Sequence, residues 1–210
     1  MTALHIGPIA PLGPAGVPSA FVKHRVAGPL LAGFDGFPGD EKADLNVHGG
    51  PDKALYGYAR ASYAGWKSDF PHLADRLVAG SMGENMTIDG DDETRVHIGD
   101  RVRIGGALLQ VSEPRQPCFK LTLAFEEPRL ARTMRLTGRC GWYYRTLEPG
   151  VIGEGDAVTL IDRPNEDWPI SRFFEVILAR ALGRDILAEM LAMEGLSEIW
   201  KVKALRGLAK

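Results

Sequence analysis

The residues best able to do chemistry lie in Ser112-Glu113-Pro114-Arg115-Gln116-Pro117-Cys118-Phe119-Lys120-Leu121, where two prolines bracket an arginine just ahead of a thiol. A thiolate is both a nucleophile and a soft metal ligand, and the nearby charges of Arg115 and Lys120 favour it over the neutral thiol. Proline lacks an N–H and fixes φ, so this segment should leave the strand before it and form a stiff loop. A small, buried structural cysteine fits the same residues equally well, because cysteine outside disulfides is among the most buried residue types.

A second cluster is Val47-His48-Gly49-Gly50-Pro51-Asp52-Lys53-Ala54. Gly49 and Gly50 permit positive φ and present backbone N–H groups, the makings of an anion nest beside His48 and Lys53. A plain structural turn, capped by Asp52 and with a hydrogen-bonded His48, is the more common meaning of such a pattern. The chain has no CxxC, no paired-histidine zinc spacing, no P-loop, no GxGxxG and no GxSxG. A thiol hydrolase would need a histidine poised near Cys118, and none of the five histidines has a recognisable context for that.

The chain has 210 residues, enough for one substantial core, and a net charge of −2, which leaves no footprint of a nucleic-acid binder. Two cysteines make no disulfide framework and cannot supply a four-cysteine iron–sulfur cluster. No apolar run approaches a membrane span and no signal pattern opens the chain, so a cytoplasmic protein is expected. The 25 glycines and 14 prolines concentrate before residue 165, which favours short strands joined by tight turns.

The elements that must position these residues follow from periodicity. Short extended pieces fill residues 1–40, and a strand is expected at 54–58. Tyr63, Trp66 and Phe70 predict a helix over 60–70, ended by Pro71. Strands are expected at 83–88, 96–104, 107–111 and 155–161, the middle two joined at Gly105-Gly106. After Arg163-Pro164 three short amphipathic helices should follow. The first carries Phe174, Ile177, Leu178, Ala181 and Leu182 and closes at Gly183. The second is capped by Asp185, carries Ile186, Leu187, Met190 and Leu191, and closes at Gly195. The third is capped by Ser197 and carries Ile199, Trp200 and Leu205.

Five segments occur in one order: 47–54, Gly83-Glu84-Asn85, Ile98-Gly99-Asp100, 113–121 and Gly141-Trp142-Tyr143-Tyr144-Arg145. Together they resemble the MOSC family (molybdenum cofactor sulfurase C-terminal domain), in its YiiM-like branch. The resemblance covers residues 1–162 as the MOSC domain, and residues 163–210 resemble the three-helix domain which that branch appends. It implies a mainly β fold, a distorted β-barrel with a small helical region. It also implies a molybdenum cofactor (Mo-molybdopterin) with Cys118 as the metal ligand, and the reduction of N-hydroxylated compounds such as 6-N-hydroxylaminopurine to amines.

A soft thiolate suits such a metal centre, and the cofactor carries the two-electron chemistry while the protein positions it. Under that resemblance Arg115, Lys53 and the Gly49-Gly50 turn hold the cofactor phosphate, and Glu84 and Asn85 read pterin edges. His48, Asp52, Tyr143 and Tyr144 are candidates for proton delivery or stacking; as ordinary turn and core residues they would do neither. Cys140 is taken as incidental. The expected partners are a small N-hydroxylated substrate and an external reductase, either a flavoprotein or an iron–sulfur carrier, with no nucleic acid polymer and no membrane. Three other readings stand: a cofactor or sulfur carrier that uses Cys118 without turnover, an interaction protein that docks through its C-terminal helices, and a thiol hydrolase.

Overall fold

The structure, a computed structural model, describes residues 1, 3–44, 49–179 and 182–209. The strands of the first half are β1 (Ala3–Ile6), β2 (Ala10–Leu12), β3 (Val17–Ser19), β4 (His24–Arg25), β5 (Leu30–Ala32) and β6 (Leu55–Ala59). Those of the second half are β7 (Met86–Ile88), β8 (Arg101–Ile104), β9 (Ala107–Pro114), β10 (Trp142–Glu148), β11 (Gly150–Ile152) and β12 (Val158–Asp162). The helices are α1 (Ser62–Asp69), α2 (Phe119–Phe125), α3 (Arg129–Thr137), α4 (Ile170–Leu178), α5 (Arg184–Ala192) and α6 (Glu198–Leu208).

Eight strands form one sheet in the order β12-β8-β9-β10-β6-β7-β1-β4, while β2-β3 and β11-β5 make separate ribbons. The ladder has two ends, so the hydrogen bonds do not close the barrel that the resemblance implies. Every pair in the large sheet is antiparallel except β6 with β7. A parallel pair needs a crossover, and α1 lies in it. One hydrophobic core runs from Leu4 and Leu55 in the sheet to Phe173 and Trp200 in the C-terminal helices.

Several strand expectations change: the strands expected at 83–88 and 155–161 begin only at Met86 and Val158. Residues 96–100 are not strand: Gly99 takes a φ of +83°, and the Asp100 carboxylate accepts the His97 N–H at 2.9 Å, closing a turn before β8. Conversely, β9 runs on through Ser112, Glu113 and Pro114, where a loop was expected. Pairing with β8 stops at Gln110, so beyond that point β9 has a strand neighbour, β10, on one side only. Its other side meets the start of α6, where the Ser197 N–H donates to the Ser112 carbonyl at 3.1 Å. Proline is tolerated there for the same reason it is tolerated on an edge.

The sequence reading passed over α2 and α3, in which Leu121, Phe125, Leu130 and Met134 point inward. In the C-terminal region, α4 begins at Ile170 and ends at Leu178, so Leu182 lies beyond it; Ala181 is outside the described residues. Gly183 rather than Asp185 takes the N-cap position of α5. Ser197 does precede α6, but Trp200 faces the core while Ile199 and Leu205 stay exposed.

Candidate functional site

The register of β10 against β9 sets the geometry around the thiol. Tyr143 pairs with Glu113 but Tyr144 pairs with Val111, so Ser112 is the extra residue of a β-bulge. Bulges re-aim side chains next to sites. The Ser112 hydroxyl shares its one proton between the carbonyls of Asp52 and of Tyr143, the latter at 3.1 Å, and so ties the 51–53 turn to the sheet. Alternation along β10 then separates its aromatics: Trp142 and Tyr144 enter the core, and Tyr143 faces the other way, half-buried.

Cys118, half-buried at the N-cap position of α2, borders a half-open cavity of about 80 Å³. Arg115, Lys53, Asn85 and Tyr143 line the same space, so the structure brings these five sequence candidates together. Five cations surround it (Lys23, Lys42, Lys53, Arg115 and Lys120) against two carboxylates, Asp40 and Glu41. Lys23 forms a buried ion pair with Asp40, and burial lowers the pKa of both Lys23 and Lys42.

Arg115 is the best anchored of the cations. Its Nη1 donates to the Met82 carbonyl, and its guanidinium lies 4.5 Å from the Tyr56 ring centre and 5.2 Å from that of Phe21. Burial works against its charge, but the Tyr56 and Tyr143 phenols and the Cys118 sulfur outweigh it, and its pKa is raised. Burial in turn pushes the Tyr143 phenol up to about 12, so that group donates rather than ionises. A guanidinium carries five N–H donors, more than the one Met82 engages, which suits a bidentate anion.

Other candidates are placed elsewhere. Glu84 does not border the space. It is wholly buried, and its carboxylate accepts from Tyr63 Oη (2.7 Å), Gly80 N (2.7 Å), Thr87 Oγ1 (2.9 Å) and Met82 N (3.2 Å). It therefore holds the turn whose Met82 carbonyl grips Arg115. Asn85 borders the space, but its amide is already used: Oδ1 accepts the Tyr56 N–H, and Nδ2 donates to the His5 carbonyl and to Asp40. Asp52 points to α6, accepting the Glu198 N–H at 2.8 Å and pairing with Arg145 at 2.7 Å. Gly50, with φ +91°, starts the turn at Pro51–Lys53, and neither it nor Gly49 borders the space. His48 lies outside the described residues. Cys140 is buried against the Gly141 carbonyl with its thiol pKa raised by burial, and forms no disulfide.

Phe21, Lys23, Asp40, Lys42 and Tyr56 were missed. Only Tyr56 carried a local signal, its alternation with Tyr58 in β6. The others are brought in by loops whose spacing says nothing of where they end.

The donor set fits an anionic, sulfur-liganded metal cofactor: cations for a phosphate, one accessible thiol, and aromatic walls. Among the described residues no group of three His, Cys, Asp or Glu side chains gathers to hold a bare metal ion, and no helix is long and apolar enough to cross a membrane.

Comparison with known proteins identifies the family. The MOSC domain matches residues 44–159. Protein YiiM of Escherichia coli strain K12 is 38% identical over 187 residues, covering 89% of this chain and 83% of its own. The crystal structure of YiiM from Escherichia coli superposes with a TM-score of 0.80, over 96% of this chain and 93% of that one at 31% identity. YiiM from Geobacillus stearothermophilus gives 0.82 over 99% and 97%, at 28% identity. A protein of Gibberella moniliformis named "Reductase" is 39% identical over 175 residues, 82% of this chain but 31% of that longer protein. Sequence match and superposition agree: this chain belongs to the MOSC domain family and is a homologue of YiiM.

Proposed function

We propose that this chain binds the molybdenum cofactor at the Cys118 loop and reduces N-hydroxylated compounds, of which 6-N-hydroxylaminopurine is the representative. The observation that carries the reading is the convergence of one accessible thiol with five cations on a single space, assembled from six separate stretches of chain. Family membership and the reductase relative support it. When bound, the cofactor supplies the two-electron reduction that removes the N–OH oxygen.

The chain's own residues hold and orient. The Cys118 thiolate is the metal ligand. Arg115 and Lys53 bind the phosphate, Arg115 being fixed in direction by Met82 and two ring faces. Tyr143 offers a ring face and a phenolic proton that stays on oxygen at neutral pH. Glu84 and Asn85 act one layer back, by fixing the turn and strand that carry the site. No dinucleotide fingerprint is present, so electrons come from a separate flavoprotein or iron–sulfur carrier. Residues 163–210 form a helical region appended to the MOSC domain, in a cytoplasmic protein.

The test is molybdenum and pterin content of wild type and Cys118→Ser, expressed in a host that makes the cofactor. Both should be present in wild type, and metal should fall at least tenfold in the variant. Full metal content and full N-hydroxy reduction in Cys118→Ser would refute the ligand assignment.

A further inference from the structure

Beside the cationic space lies a second cavity of about 250 Å³, which shares Lys53, Cys118 and Tyr143 with it. Its far wall is α6, through Ile199, Trp200 and Lys203. Glu113 borders this cavity, 3% exposed, in the bulged end of β9. A carboxylate buried that deeply needs a reason, because water no longer solvates its charge. Its Oε1 faces Lys53 Nζ at 3.2 Å, and its Oε2 accepts the Trp200 Nε1–H at 2.7 Å.

We propose that Glu113 is the proton donor for N–OH reduction, and that Trp200 on the C-terminal helix is its positioning residue. The inference rests on the reductase reading above. In the overall reaction R–NH–OH, two electrons and two protons give R–NH2 and water. The N–O bond breaks, nitrogen gains the electrons delivered by a reduced flavoprotein or iron–sulfur carrier, and the oxygen leaves. Hydroxide is a poor leaving group, so the Glu113 proton passes to that oxygen as the bond breaks and water departs. The carboxylate left behind is met by the Lys53 ammonium and the Trp200 N–H, both already in place. Solvent in the cavity returns its proton, and the second proton reaches nitrogen from water.

Several observations favour Glu113 over the other acids. Asp52 is committed to α6 and Arg145, and Glu84 to four donors away from both cavities. Asp40 is held by Lys23 and the Asn85 amide, and Glu41 accepts the Ile9 N–H. The titratable and charged groups around Glu113 are Lys53 on the turn, Tyr143 on β10, Cys118 beyond its own strand, and Lys203 on α6. Burial raises the Glu113 pKa, and Lys53 and Trp200 draw it back only in part, so the group keeps a proton closer to neutral pH than an ordinary glutamate.

The experiment compares wild type, Glu113→Gln and Trp200→Phe for metal and pterin content, for kcat and KM against pH with 6-N-hydroxylaminopurine, and by infrared titration of the carboxyl band without cofactor. Glu113→Gln should keep cofactor and KM, lose about 100-fold or more in kcat, and lack the alkaline limb of wild type. Trp200→Phe should keep its fold but lose a donor to the carboxylate. The limb and the infrared midpoint should both move to higher pH, a shift that a merely structural tryptophan would not produce. Glu113→Gln within threefold of wild type at every pH, with cofactor intact, overturns the proton donor and leaves the reductase standing. Wild type without metal and pterin, or without reduction, overturns the reductase and the donor with it.

Discussion

Glu84→Gln separates a residue that touches cofactor from one that holds the frame. The Glu84 carboxylate receives three donors on Oε1 and the Met82 N–H on Oε2. Glutamine can keep the Oε1 contacts but turns an NH2 toward the Met82 N–H, so two donors face each other. An unmet buried donor costs about 1–3 kcal/mol. The Tyr63 hydroxyl, 3.4 Å from the same N–H, offers a poorer acceptor and places the loss near the low end. Weakening the three remaining bonds opposes the relief of neutralising a buried charge. The net is about 1–2 kcal/mol, which for a domain of this size lowers Tm by about 2–8 °C. Because the Met82 carbonyl grips Arg115, cofactor retention should fall together with Tm. Thermal melts by circular dichroism, with pterin content on the same preparations, read both quantities. A Tm within one degree of wild type together with lost pterin would refute the frame and return Glu84 to the ligand.

Asp52→Ala should lower stability by about 1–2 kcal/mol, from one helix-start hydrogen bond and a partly exposed ion pair, and leave metal content and turnover in place. A 100-fold loss of kcat in a stable, loaded variant would restore Asp52 to the chemistry. Arg129 and His72 hold the Glu127 carboxyl down to about 2. Its folded pKa lies below its unfolded value, so the stability it contributes is present above about pH 4.5 and is lost as pH falls toward about 2. Acid unfolding of Glu127→Gln should therefore show a shallower decline than wild type across that window.

The candidate chemistry of the chain was legible in its sequence because it resides in residue types. Cys118 with Arg115 and Lys120 announced a thiol among cations, and strand and helix periods placed β6, α1, β9 and the C-terminal helices near where they form. The order of five motifs carried the family. Periodicity did not show which side chains turn toward the thiol. Glu84 and Asn85 stand next to each other, yet one is sealed under a turn and the other borders the cavity. Pro114 reads as a strand breaker, but on the flank left open beyond Gln110 a helix start replaces the missing strand neighbour. Phe21, Lys23 and Tyr56 reach Arg115 from 59 or more positions away. Such contacts depend on how strands register and where a bulge falls. These are properties of chain segments packed against each other, so the tertiary structure decided them, along with the joining of Glu113 to Trp200 across 87 residues.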